Sequence, residues 1–305
     1  MNKTKLRLSL LLLGSIALGS CSKSGGNEFT AEGTITDAAG KTLYLETTDT
    51  DEPQLIDSVT LDEKGRFRFH REAHSYPAFY RLRLGESFIP FAADSLTHLT
   101  LSASGKDLFS TYKIESGDEA NKQIREIGQL RTATDKAIEA ILTQLNKGTL
   151  DRGIALARID SLSTQLKNTL TSKYIFSDPK GAAAYYALFQ SYLGGTYFSI
   201  DHPGDDRAFS AVATAYDAFH PNAPYTPLLK QAALRSIAMA RARQREAHPD
   251  TTMTAAPVEG VSFPQIHLRA QKGPGRSLPA AAVSCAWADM PKKHRDTPQF
   301  AIIGY

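Results

Sequence analysis

The chain has two cysteines, Cys21 and Cys285, and their chemistry is the first to weigh. A thiolate can exchange disulfides or carry an acyl group, but redox cycling needs a second sulfur, and reactivity needs a neighbour that lowers the thiol from about 8.5. The two cysteines are too distant in sequence for a C-x-x-C pair. Cys285 sits between Ser284 and Ala286, and Lys292, Lys293 and His294 follow only several residues later. No catalytic cysteine is expected. His70-Arg71-Glu72-Ala73-His74 places two imidazoles at i and i+4, the helical spacing of a zinc pair. Glu72 is not where H-E-x-x-H requires it, and the segment follows the strand-like RFRF and precedes Tyr76-Pro77. His70 then shares a polar strand face with Arg66 and Arg68, so a solvated strand end is expected instead of a metal site.

Other candidates reduce to architecture. Ala39-Gly40-Lys41-Thr42 lacks the glycine a phosphate loop needs at position 35, which is Ile35, and reads as a hairpin turn. Gly194-Gly195 reads as a helix end and not as a dinucleotide loop. No G-x-S-x-G occurs. Tyr185, Tyr186, Phe189, Tyr192, Tyr197 and Phe198 concentrate in one region, expected mainly as core with some able to line a groove. Arg235, Arg241, Arg243 and Arg245 form a basic helix end whose sign suits the helix dipole and anionic headgroups, with a solvated face as the default reading.

The start of the chain carries an address. Lys3, Lys5 and Arg7 precede the apolar run Leu8–Leu18, and small residues lead to Cys21. Eleven helical residues rise about 16 Å, too little for about 30 Å of hydrocarbon, so this reads as a secretory signal peptide. Leu18-Gly19-Ser20-Cys21 resembles the lipobox of bacterial lipoproteins. That resemblance implies cleavage before Cys21 and acylation of its sulfur and amino group. Several acyl chains, at about 0.8 kcal/mol per buried CH₂, hold a protein on a membrane without a spanning helix. Lys3, Lys5 and Arg7 also account for the whole formal charge of +3, so the chain from Cys21 onward is neutral. A nucleic-acid role loses its electrostatic basis.

Hydropathy periods divide the remainder. Residues 29–115 alternate with period two. Phe29, Ala31 and Ile35 face one way, as do Tyr80, Leu82 and Leu84, and Leu99, Leu101 and Ala103. Turn signals DAAG and DEKG recur between them, predicting an antiparallel β-sandwich or barrel. The period changes at Ser116-Gly117-Asp118-Glu119, whose Ser-x-x-Glu spacing is that of a capping box. Helices are expected over 119–146, 150–174, 180–199, 205–219 and 227–247, packed as an irregular bundle. Asp178-Pro179 and Thr226-Pro227 should open two of them. Residues 248–260 lack periodicity, and SFPQIHL reads as a short strand. After Leu268 the chain has four prolines, no Glu and a net charge of +4.

Together the lipobox, FTAEGTIT-DAAGKTLYL, IDSVTLDEKGRFRF, SYPAFYRL and ESGDEAN resemble Gram-negative envelope lipoproteins of gut anaerobes. In those proteins a β-rich domain of unknown function precedes a thioredoxin-like (redoxin) domain. GVSFPQIHL resembles the opening strand of that second domain. The resemblance implies a further central sheet with a cysteine pair, for which the 37 residues after Leu268 have no counterpart. A frameshifted or degenerate tail is therefore expected.

The organisation expected is α+β. A signal peptide (1–20), a tether (21–28), a β-sandwich (29–115) and an α-helical domain (116–247) come first. A linker (248–261) and a redoxin remnant or poorly ordered tail (262–305) follow. The function expected is non-catalytic binding or scaffolding by a lipid-anchored protein, most readily on the periplasmic face of the outer membrane. Its partners are the membrane, through Cys21, and an envelope protein or small-molecule ligand. No cofactor and no metal are called for. The alternative is a thiol-disulfide oxidoreductase or peroxiredoxin-like lipoprotein with a truncated catalytic domain.

Overall fold

The computed structural model describes residues 27–48, 52–192 and 195–247. Cys21, Cys285 and the segments expected as signal peptide, linker and tail lie outside these residues.

Alternation builds the first half. Strand β1 (Glu28–Thr36), β4 (Arg66–Glu72), β7 (His98–Ser104) and the short β8 (Lys113–Ile114) form one sheet in the order β4-β1-β7-β8. Strands β2 (Thr42–Thr47), β3 (Gln54–Thr60), β5 (Ala78–Leu84) and β6 (Ser87–Ala93) form a second, ordered β3-β2-β5-β6. The sheets bury their alternating apolar residues against each other. Phe29, Tyr80 and Phe91 meet at the centre with ring centroids 4.8–6.2 Å apart. Leu61, Phe67 and Phe69 join this core as the pattern predicts, and Arg66, Arg68 and His70 face solvent.

The sandwich and the helices that follow bear out the predicted fold class. One pairing departs from the expected antiparallel arrangement. β1 and β7 run parallel, with Gly33 opposite Leu101. Alternation fixes which face a residue occupies but not which strand lies beside it. A β-carbon at Gly33 would stand 1.8 Å from the Leu101 carbonyl oxygen, so only glycine permits this approach. The DAAG and DEKG turns also carry the chain from one sheet to the other, so 39–42 is a crossing and not a hairpin. In the second turn Asp62 accepts from the amides of Lys64 and Arg66, and Gly65 takes φ +74°.

A four-residue turn of helix, α1 (Leu108–Thr111), precedes β8. Helix α2 (Glu119–Asn146) has the predicted span, but its cap is Asp118, which accepts from the Asn121 amide, and not Ser116. Ile124, Ile127, Ile138 and Ile141 are buried along it. Asp151 caps α3 (Arg152–Leu170), which runs into a π-helical turn at Thr171–Ile175. The helix expected over 180–199 is cut to α4 (Ala182–Leu188). Asp178 is not its cap but opens a turn, its carbonyl accepting from the Gly181 amide. Gln190 folds back to donate to the Tyr186 carbonyl, and Ser191–Tyr192 (β9) pairs antiparallel with Gly195–Thr196 (β10). Gly195 is thus in a hairpin, not at a helix end, and Gly194 is outside the described residues. Helices α5 (Asp206–Phe219) and α6 (Thr226–Ala247) follow as predicted. The Thr226 hydroxyl does not cap α6; it donates to the His220 carbonyl.

The helices cover the outer face of the second sheet. Phe79, pointing away from the sandwich core, stacks on Tyr185 at 4.9 Å and lies 6.0 Å from Tyr225. The Tyr225 hydroxyl donates to the Pro77 carbonyl. At the β6 edge the Asn121 side chain accepts from the Ala92 amide and donates to its carbonyl, both at 2.8 Å. That amide imitates a further strand, and with Pro90 it closes an edge that otherwise invites strand pairing. No described helix is long and apolar enough to cross a membrane.

Candidate functional site

A cleft of about 660 Å³ opens among α2, α3, the β9–β10 hairpin and the start of α5. Ile138, Leu142, Ile159 and Phe198 give it apolar walls. Ser163, Thr164, Lys167, Asn168, His202 and Arg207 give it polar ones. The helical stripes explain both: the positions that face the neighbouring helix are apolar, and the next residues round α3 meet the opening.

Two buried pairs frame the cleft. The Lys167 ammonium is 2.7 Å and 2.9 Å from the two oxygens of Asp205 and lies 5.4 Å above the Phe198 ring. Asp205 is buried and also accepts from the Ser199 amide at 2.9 Å. His202 stands at the mouth, its Nδ1 3.3 Å from the Lys167 nitrogen. On the α2 side Asp135 accepts from the Tyr197 hydroxyl at 2.6 Å and from Arg131 at 2.8 Å. Burial raises the Asp135 carboxyl, and its contacts with Tyr197 and Arg131 offset this only in part. Burial also raises the Tyr197 phenol, with Asp135 adding to it. Burial raises the Tyr192 phenol too, helped by Glu139 and Asp135, and its oxygen has no hydrogen-bond partner among the described residues.

This arrangement suits binding. The Lys167 nitrogen is engaged by both oxygens of the Asp205 carboxylate, which leaves it tied into an ion pair. What remains for a ligand is an apolar wall with hydroxyl, amide and guanidinium groups at its rim, the usual make-up of a small-molecule site.

The residues singled out by sequence fall elsewhere or play other parts. His70 and His74 do not converge. His70 Nε2 lies 2.9 Å from a Glu28 oxygen, and His74 stacks on Tyr76 at 4.8 Å. Among the described residues no three His, Cys, Asp or Glu side chains are placed to share a metal. Tyr186, Phe189 and Phe198 are core, and Tyr192, Tyr197 and Phe198 also line the cleft. Of the basic residues of α6, Arg243 donates to the Asp201 carbonyl at 2.7 Å, and Arg235, Arg241 and Arg245 are exposed.

Lys167, Asp205, His202 and Asn121 were not legible in the sequence. The paired groups lie far apart in the chain, so no short-range spacing marks them. A second cluster left a local trace. Arg81 and Arg83 alternate with Leu82 and Leu84, and that alternation puts both guanidiniums on the outer face of the second sheet. There they bond the buried Glu46 at 2.5 Å and 2.7 Å. Arg83 also covers the Tyr44 ring at 4.4 Å. All three charges are engaged with one another, which makes this cluster a brace for the sheet.

Residues 29–123 match a family described as a domain of unknown function, DUF4369. The match covers the sandwich and the first turn of α2. Two bifunctional glutamine synthetase adenylyltransferase/adenylyl-removing enzymes of Neisseria meningitidis, from serogroups A and B, are each similar to the chain over one short stretch. They are 88% and 85% identical over 26 residues, which is 8% of this chain and 3% of each enzyme. The chain thus spans a very small part of those proteins. No solved structure matches it.

Proposed function

We propose that this chain is a lipid-anchored envelope protein that binds or positions another component without turning over a substrate. The observation that carries the binding half is the cleft beside α3, with its apolar wall, open polar rim and closed Lys167–Asp205 pair. The anchoring half rests on Leu18-Gly19-Ser20-Cys21, and the reading puts the protein on the periplasmic face of the outer membrane because the SKSGG tether lacks an acidic cluster. Its partners are the bilayer, through Cys21, and an envelope protein or small molecule in the cleft.

Native mass spectrometry of protein purified from its own envelope tests both halves. The expected mass is that of a chain beginning at Cys21 with its acyl groups, accompanied by a small-molecule adduct. Thr164→Trp, which fills the cleft from its exposed rim, should remove the adduct. An adduct retained in that variant counts against the cleft, and an unacylated chain counts against the anchor. The alternative, a thiol-disulfide oxidoreductase or peroxiredoxin-like lipoprotein, draws on the likeness of GVSFPQIHL to a redoxin strand and on Cys285. Insulin reduction abolished by Cys285→Ser would establish that alternative.

A further inference from the structure

The point where the tether meets the sandwich is linked, through two backbone hydrogen bonds, to the turn that carries the most exposed large apolar side chain among the described residues. The Asn27 carbonyl accepts from Ala73, and the carbonyl of the next residue, His74, accepts from Ser95 at 3.1 Å. Ser95 precedes Leu96, which is 82% exposed. Leu96 is not on a loose loop. Its amide donates to Asp94 Oδ1 at 2.9 Å, Thr97 Oγ1 donates to the same oxygen, and the Thr97 carbonyl accepts from Thr30 of β1. A tight, hydrogen-bonded turn thus holds a leucine out into solvent.

A second observation falls on the same end. Asp94 and Thr97 share a crevice of about 330 Å³ with Phe219 and Lys180. Phe219 is 61% exposed, and the Lys180 ammonium stands 4.7 Å above its ring. Leucine and phenylalanine for the acyl boundary and an ammonium for phosphate oxygens are side chains that a bilayer interface takes up.

We propose that this end of the molecule, carrying Leu96, Phe219 and Lys180, is a membrane-contact face. Its occupant is the surface of the bilayer that holds the acyl groups of Cys21. The proposal rests on the lipid-anchor reading above. Six residues lie between Cys21 and Glu28, and the seven steps reach at most about 25 Å at 3.3–3.6 Å per residue. Strand β1 has nine residues, which puts the opposite end, with the Asp62–Gly65 turn, about 30 Å farther along. The tether keeps the Leu96 end near the lipid, and the exposed apolar pair turns it inward.

The test uses the full acylated protein in vesicles of phosphatidylethanolamine and phosphatidylglycerol with brominated acyl chains. Its single tryptophan is first replaced, Trp287→Phe, and one reporter is added, either Leu96→Trp or, at the opposite end, Glu63→Trp. Bromine should lower the emission of the Leu96→Trp reporter roughly twofold and leave the Glu63→Trp reporter unchanged. Phe219→Asp with Lys180→Glu should abolish the difference. Equal quenching of the two reporters, or none in protein whose mass shows acylation, overturns the membrane face and leaves the anchor standing. Protein without acyl groups overturns both. Protection of the Leu96→Trp reporter from acrylamide without vesicles, rising with protein concentration, overturns the proposal in favour of contact between two copies.

Discussion

The sandwich and the helical half solve the problem of closure differently. The sandwich closes on itself with alternating apolar residues and one close backbone approach, Gly33 against Leu101, and its charges stay on outer faces. The helical half closes on the sheet through the Phe79–Tyr185–Tyr225 cluster. On its other side it leaves a cleft whose walls are tied by the Lys167–Asp205 ion pair and the Tyr197–Asp135 hydrogen bond. Close packing specifies a shape but leaves no room. Buried pairs tie elements together across an opening while leaving it open, at the cost of desolvation. The binding candidate therefore lies where polar ties replace packing.

The largest expected effect tests that dependence. Lys167→Met leaves the Asp205 carboxylate buried without its cation and should lower unfolding stability by about 3 kcal/mol. Lys167→Met with Asp205→Asn should recover most of this, because an amide oxygen still accepts from Ser199. Denaturant midpoints at constant slope measure both. In the sandwich, Gly33→Ala forces a methyl against the Leu101 carbonyl and should cost about 2–3 kcal/mol. This loss should be the same at low and high salt, since no charge is involved. A marked salt dependence would show that the two halves are not closed by different forces.

The smallest effect is a pH dependence. The Asp135 carboxyl is raised above its ordinary 3.8 in the folded protein, so folding favours its protonated form. Its contribution is therefore complete below that value and declines as pH rises through the folded pKa. Asp135→Asn should remove this decline, so the stability difference between variant and parent should shift in favour of the variant across that interval. Thermal melts from pH 3 upward measure it. A difference that moves the other way would mean that Arg131 and Tyr197 outweigh burial.

Much of the architecture was legible because hydropathy period is a local property. Phe29, Ala31 and Ile35 on one strand, or Ile124, Ile127, Ile138 and Ile141 on one helix, declare a face whatever packs on it. The helix over 180–199 failed because Asp178-Pro179 and the aromatic run fit a helix locally. The chain instead turns at Gln190, whose side chain takes the Tyr186 carbonyl. The capping box failed for a related reason: Asp118, two residues later, reaches the Asn121 amide.

The sequence by itself determined the strand faces, the switch from period two to helical period near residue 116, and the neutral charge of the chain from Cys21 onward. Each depends on neighbours a few residues apart. Only the tertiary structure decided that β1 lies parallel to β7, that Asn121 completes the β6 edge, and that Lys167 meets Asp205 beside a cleft. These contacts join residues 29 to 68 positions apart. At that separation loop closure and packing choose the partner, and no pattern of nearby residues records the choice.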